Sequence, residues 1–157
     1  IHPRKDERHI RAADVEDIAD YLAGFRDSVE FNIEGDPRRD LIDRVLRIRP
    51  HQCTLVPVRP GEVTSEAGWP PDTDPERLGA IIRELQAVNI RVSVFVEAQR
   101  DAIAWAASVG ADRVELYTEP YANAFGTHEE EDQLARYTAA CARAPSCDVL
   151  TPLAITG

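Results

Sequence analysis

No apolar stretch in this chain approaches the roughly 18 residues needed to cross a bilayer, so no membrane-spanning helix is predicted. The three cysteines are an odd number and form no Cys-x-x-Cys pair. Neither a disulfide framework nor a zinc ribbon is therefore indicated, and a reducing, cytoplasmic setting is the expectation. Basic residues are in the minority, with 18 Lys and Arg against 28 Asp and Glu and a net charge of −10. No basic face stands out, and nucleic acids are bound through clustered cations, so a nucleic-acid partner is not expected. Lysine occurs once, as Lys5 in a loop, which leaves no strand lysine for Schiff-base chemistry. A Gly-x-Gly-x-x-Gly turn is also missing, and with it the phosphate-binding signature of a doubly wound sheet.

What is present is a 157-residue chain, 43% hydrophobic, long enough to bury one respectable core. Short β-branched runs alternate with stretches of helical period. Asp14 reads as the cap of a helix with Val15, Ile18, Ala19 and Leu22 on one face. A strand over Phe31–Glu34 follows, then a helical stripe of Leu41, Ile42, Val45 and Leu46 that stops near Pro50. Cys53–Pro57 is a strand in which Cys53 reads as a small core residue, and 59–72 is a Pro- and Gly-rich loop. Asp74-Pro75-Glu76 opens the next helix, whose stripe of Leu78, Ile81, Ile82, Leu85 and Val88 ends at Asn89. Arg91–Val96 is nearly all apolar, as in parallel sheets. A helix near Ala102–Val109 stops at Gly110, and a strand covers Arg113–Thr118. Thr127 and Glu130 suggest a capping box for a helix through Leu134, Tyr137 and Cys141, and 148–155 reads as a last strand.

Strict β–α alternation implies parallel strands joined by right-handed crossovers. Both an open sheet and a closed barrel satisfy it. The charges decide: ionisable residues recur where apolar strands end, at His2, at Glu34 and inside Val114-Glu115-Leu116-Tyr117-Thr118. Strand ends are where a (β/α) barrel builds its active site. Read from the residues alone, His2 suits proton transfer because histidine as a residue type titrates near neutrality, though a histidine satisfied by a backbone carbonyl fits as well. Glu34 suits a base at a barrel mouth or a salt-bridged strand end. Glu115 alternates with apolar neighbours and should point inward, where a carboxylate is costly unless paired or functional. His51 and His128 read as structural.

The segments carrying these residues are His2-Pro3-Arg4-x-Asp6-x-Arg8-His9-Ile10, Asn32-Ile33-Glu34, 49–57, 62–68, 92–96 and 114–122. In order and spacing they resemble the pyridoxine 5′-phosphate synthases of vitamin B6 biosynthesis, from Ile1 to about Ala124. The resemblance implies an α/β fold, the (β/α)8 TIM barrel, of which residues 1–157 would form a single partial domain covering about strands 2 to 6 or 7. It implies condensation of 3-amino-2-oxopropyl phosphate with 1-deoxy-D-xylulose 5-phosphate to give pyridoxine 5′-phosphate, phosphate and water. No metal or organic cofactor is implied; a cytoplasmic homo-oligomer, an octamer, is. By the same resemblance His2 and Glu34 are bases, Glu115 stabilises cationic intermediates, and Arg4, His9 and Thr64 bind the xylulose phosphate.

The chain also departs from the family pattern. A first strand bearing Asn and Asp-His would lie before Ile1. The Ala-Gly-His segment expected after the helix of Tyr137 is replaced by 148–157, which has no histidine, and the final Gly-rich phosphate loop does not occur. The expectation is a partial barrel with little activity by itself. Two alternatives remain open at this level: another sugar-phosphate barrel enzyme, or a non-catalytic barrel that binds phosphorylated metabolites.

Overall fold

The structure, a computed structural model, describes residues 1–58 and 67–144 together with the backbone of 147–148. Among the described residues five strands form one sheet: β1 (Asn32–Gly35), β2 (Gln52–Leu55), β3 (Arg91–Val96), β4 (Arg113–Leu116) and β5 (Cys147–Asp148). Every pairing is parallel, and the spatial order is the sequence order. A doubly wound sheet reverses its order at a switch point. Here the order never reverses, so crossovers of one hand place the helices on one face. That is consistent with part of a (β/α) barrel wall.

Ile1 extends the sheet beyond β1. Its nitrogen donates to the Asn32 carbonyl at 2.8 Å, and its carbonyl accepts from Glu34 N at 2.8 Å. Flanking Ile33 in this way is the pattern of a parallel partner, as expected for the end of a strand.

The helices are α1 (Ala12–Leu22), α2 (Arg39–Ile48), α3 (Pro75–Gln86), α4 (Arg100–Ser108), α5 (Glu119–Ala124) and α6 (Glu130–Cys141). Among the described residues no helix is long and apolar enough to cross a membrane. Alternate strand residues Ile33, Cys53, Leu55, Val92, Val94, Val96, Val114 and Leu116 join Val15, Leu41, Val45, Ile82, Leu85 and Ile103 in one buried core. Burying such a side chain contributes roughly 1.5–3 kcal/mol, so this layer holds the helices to the sheet.

Several local expectations need correction. Asp14 is not the cap of α1: Arg11 is, and Asp14 sits three residues on, accepting Arg11 N at 2.8 Å. An acid at that position satisfies the backbone N–H of the cap residue, which is one half of a capping box. The Thr127–Glu130 box is displaced too. Glu129 N donates to the Thr127 hydroxyl at 3.2 Å, while Glu130 accepts from Gly126 N at 2.8 Å, and the helix starts only at Glu130. Leu134, assigned to the buried stripe of that helix, is 52% exposed, whereas Tyr137 is buried. β1 begins at Asn32 and ends at Gly35, one residue later than expected. Asp74 caps α3 as expected, accepting Glu76 N at 3.0 Å, and Asn89 stops the chain after it with φ of 62°. The last strand begins at Cys147; the remainder of 148–155 lies outside the described residues.

Candidate active site

The other face of the sheet is polar. Register aligns Asn32 with Gln52 and Arg91, Glu34 with Thr54, Ser93 and Arg113, and Phe95 with Glu115. Side chains alternate across a strand, so all of these lie opposite the apolar core. The isolated-looking acids of the sequence therefore share one surface.

His2 reaches that surface because Ile1 pairs beside Ile33, which turns the following residue to the side of Glu34. The loop is then pinned: Arg38, at the start of α2, donates to the Pro3 carbonyl at 2.8 Å, and Pro3 is buried. His2 Nδ1 lies 3.1 Å from Glu34 Oε1, with the two side chains 21% and 27% exposed. In the neutral ring, a hydrogen on Nδ1 that faces the carboxylate leaves the lone pair on Nε2. That Nε2 is buried and has no hydrogen-bond partner among the described residues. A buried polar atom without a partner costs stability. This one lies at a strand end beside a carboxylate, which makes it a candidate contact for a ligand.

Glu115 completes the cluster. Its carboxyl is pushed up to about 7, first by burial and then by the negative charge of Glu34; a hydrogen bond from Thr54 and the Ile1 amino group pull the other way. Its Oε2 is buried without a partner. An acid that titrates near neutrality can both give and take a proton. Two carboxylates in one field also resist ionising together, which separates their roles.

Two of the other expected residues can be placed. Arg4 lies in the His2 loop with its side chain 9% exposed and its Nε 3.9 Å from Asp6. His9 is exposed further along the same loop. Thr64 lies outside the described residues. Beyond that segment the chain is tied back over the strand ends: Trp69 N donates to the Phe95 carbonyl at 2.8 Å and Trp69 Nε1 to the Leu55 carbonyl at 2.9 Å. Gly68 allows this crossing, because a Cβ there would lie 2.4 Å from Val96 Cα. His51 is structural as expected: Nδ1 accepts from Phe31 N at 2.9 Å and Nε2 faces the Arg26 carbonyl at 3.1 Å. His128 is exposed in the turn before α6.

Sequence reasoning missed Asn32, Gln52 and Thr54 as members of the polar face. The signal was available in the alternation of Asn32-Ile33-Glu34 and Gln52-Cys53-Thr54-Leu55.

Comparison with known proteins shows the family. A protein-family profile described as "Pyridoxal phosphate biosynthesis protein PdxJ" matches residues 1–151. A protein of Bacteroides thetaiotaomicron named pyridoxine 5′-phosphate synthase is 48% identical over 130 residues, covering 83% of this chain and 53% of that protein. One of the same name from Albidiferax ferrireducens is 48% identical over 142 residues, covering 87% and 56%. A third, from Cytophaga hutchinsonii, is 45% identical over 146 residues, covering 93% and 59%. The chain thus spans a little over half the length of the curated relatives it matches.

Proposed function

Because this chain belongs to the family of pyridoxal phosphate biosynthesis protein PdxJ, we propose that it supplies the acid–base centre of a pyridoxine 5′-phosphate synthase. The synthase would be a closed (β/α)8 barrel that joins 3-amino-2-oxopropyl phosphate to 1-deoxy-D-xylulose 5-phosphate, acting in the cytoplasm as a homo-oligomer. The single observation that carries the reading is the convergence of His2, Glu34 and Glu115 from three separate strand ends on one polar face, with Glu115 poised at about 7.

The chemistry follows from what each group can do. An amine attacks a ketone and water leaves, giving a cationic imine; phosphate is eliminated; a carbon–carbon bond closes the ring; water is lost. Each step moves a proton. His2 takes protons through Nε2, with Glu34 holding Nδ1 and stabilising the imidazolium that forms, as carboxylate–histidine pairs do. Glu34 acts as the second base. Glu115, once ionised, favours positive charge on the imine nitrogen from a fixed position without solvent reorganisation. Arg4 grips phosphate or a substrate oxygen through its planar fork, with His9 and Thr64 on the same substrate.

The test is phosphate release by the protein expressed from its own gene. Release that requires both substrates and yields pyridoxine 5′-phosphate supports the reading. Release from either substrate alone, or binding of phosphorylated metabolites without turnover, rejects it in favour of another sugar-phosphate enzyme or a binding protein.

A further inference from the structure

A threonine hydroxyl has one proton to give and two lone pairs to fill. Thr54 is fully buried, and its Oγ1 has polar neighbours on three sides. Asn32 Nδ2 lies 3.0 Å away, Gln52 Nε2 lies 3.4 Å away, and the third neighbour is the Glu115 carboxyl. The Gln52 amide cannot turn round. Its Oε1 accepts from Arg91 Nε at 2.9 Å and Arg113 Nη1 at 3.3 Å, so its nitrogen is the end that faces Thr54. Asn32 presents Oδ1 at 3.2 Å and the nearer Nδ2 at 3.0 Å. With both amides donating, the lone pairs are occupied and the proton is left to choose between Asn32 Oδ1, at 3.2 Å, and the Glu115 carboxyl. Glu115 reaches it diagonally from β4 across β3, where the residue level with Thr54 is the small, buried Ser93.

We propose that Thr54 is the positioning residue of Glu115: Asn32 and Gln52 fill its lone pairs and its hydroxyl proton goes to the carboxylate, which holds Glu115 in one place on the polar face. As a contribution to catalysis this rests on the synthase reading; as a hydrogen bond it does not. The direction of the Thr54 effect on Glu115, opposite to that of burial, agrees with donation to the ionised form. A threonine at this point also looks like ordinary strand preference for a β-branched residue, which is why the sequence does not betray it.

The experiment separates hydroxyl from shape. In Thr54→Val the shape stays and the proton goes; in Thr54→Ser the proton stays and a methyl goes. Glu115 is followed by carbon-13 titration of its carboxyl in the wild-type chain and both variants. Positioning predicts that Val raises the Glu115 midpoint by roughly one to two pH units, the equivalent of one hydrogen bond to a charged group, and that Ser restores it. In protein from its own gene, the limb of the pH–rate profile governed by Glu115 shifts the same way in Thr54→Val and returns in Thr54→Ser. A purely packing role predicts the reverse, with Val silent and Ser disturbed, and overturns the proposal. An unmoved Glu115 midpoint in both variants overturns it too. Wild-type protein supplies a check that needs no variant: a slowly exchanging Thr54 hydroxyl proton with a nuclear Overhauser effect to the Glu115 side chain is expected, and contact of that proton with Asn32 instead refutes the assignment. If wild-type protein releases no phosphate while Glu115 responds as stated, the synthase reading fails and the Thr54 assignment stands.

Discussion

The two ends of the polar sheet face hold the same kinds of residue and treat them in opposite ways. Where the strands begin, Glu30 pairs with Arg91 and lies 3.8 Å from Arg113, and Gln52 takes hydrogen bonds from both arginines. Arg91 beside it holds the Glu30 carboxyl below the usual carboxylate range. Where the strands end, Glu115 is buried, shares its field with Glu34 and is pushed up to about 7, while His2 Nε2 has no partner among the described residues. One end is built to stay charged and paired. At the other, burial and a like charge move the Glu115 carboxyl toward neutrality, the kind of shift a proton-transfer site uses.

The largest effect expected is on turnover. His2→Asn and Glu34→Gln in protein from its own gene should each lower kcat by roughly 10²- to 10⁴-fold, with KM and melting temperature little changed. Steady-state phosphate release checks this. Near-normal turnover with lost affinity would remove the variant residue from the list of bases and blur the contrast between the two ends.

The next effect is thermodynamic and depends on pH. Below pH 4.5, the ordinary value for Glu, both folded and unfolded Glu115 hold their proton and burial costs nothing. Between 4.5 and about 7 the unfolded chain ionises while the folded chain does not, so folding loses stability as pH rises. The loss reaches up to about 3 kcal/mol above the folded value. Glu115→Gln should therefore stabilise the chain by that order at pH 8 and by almost nothing near pH 4, as read from urea denaturation.

The strand-start end should respond with the opposite sign. Arg91→Leu removes partners of Glu30 and Gln52 and should cost about 1 kcal/mol at pH 7, discounted because Glu30 is partly exposed. A lowered carboxylate contributes stability above its unfolded value and loses it as pH falls through its folded value, so the cost should shrink under acid. Comparing denaturation midpoints at pH 7 and pH 3 decides it. The smallest effect is at Leu134, 52% exposed, where Ala should change stability by less than about 0.5 kcal/mol.

How far the chain could be read beforehand follows the same division. The core face was legible because Leu78, Ile82 and Leu85, or Val92, Val94 and Val96, repeat with the period of their element. Caps were legible at Asp74-Pro75-Glu76 but not at Asp14 or Thr127. An acid or hydroxyl near a helix start can serve the cap or the third position, and only backbone geometry separates them. Leu134 misled because helical spacing tells which residues share a face, not what covers it. The six-residue α5 and the 3-10 turn over Ala23–Phe25 were missed, being too short for a periodic signal. His2, Glu34 and Glu115 were found as strand-end residues. That they share one strand-end face was expected from the barrel reading; the contacts among them were not, since these depend on register between strands far apart in sequence. The face of Thr54 was legible in the alternation of its strand, but its contact with Glu115 was not, because a lone threonine has no charge to single it out.

Carbon-13 titration of the Glu30 and Glu115 carboxyls in the same sample tests the central contrast most directly. The account predicts that Glu30 titrates below 4.5 and Glu115 near 7, two carboxylates of one sheet face moved in opposite directions. If both titrate together near 4.5, the two ends are equivalent and the strand-end cluster is an ordinary polar surface.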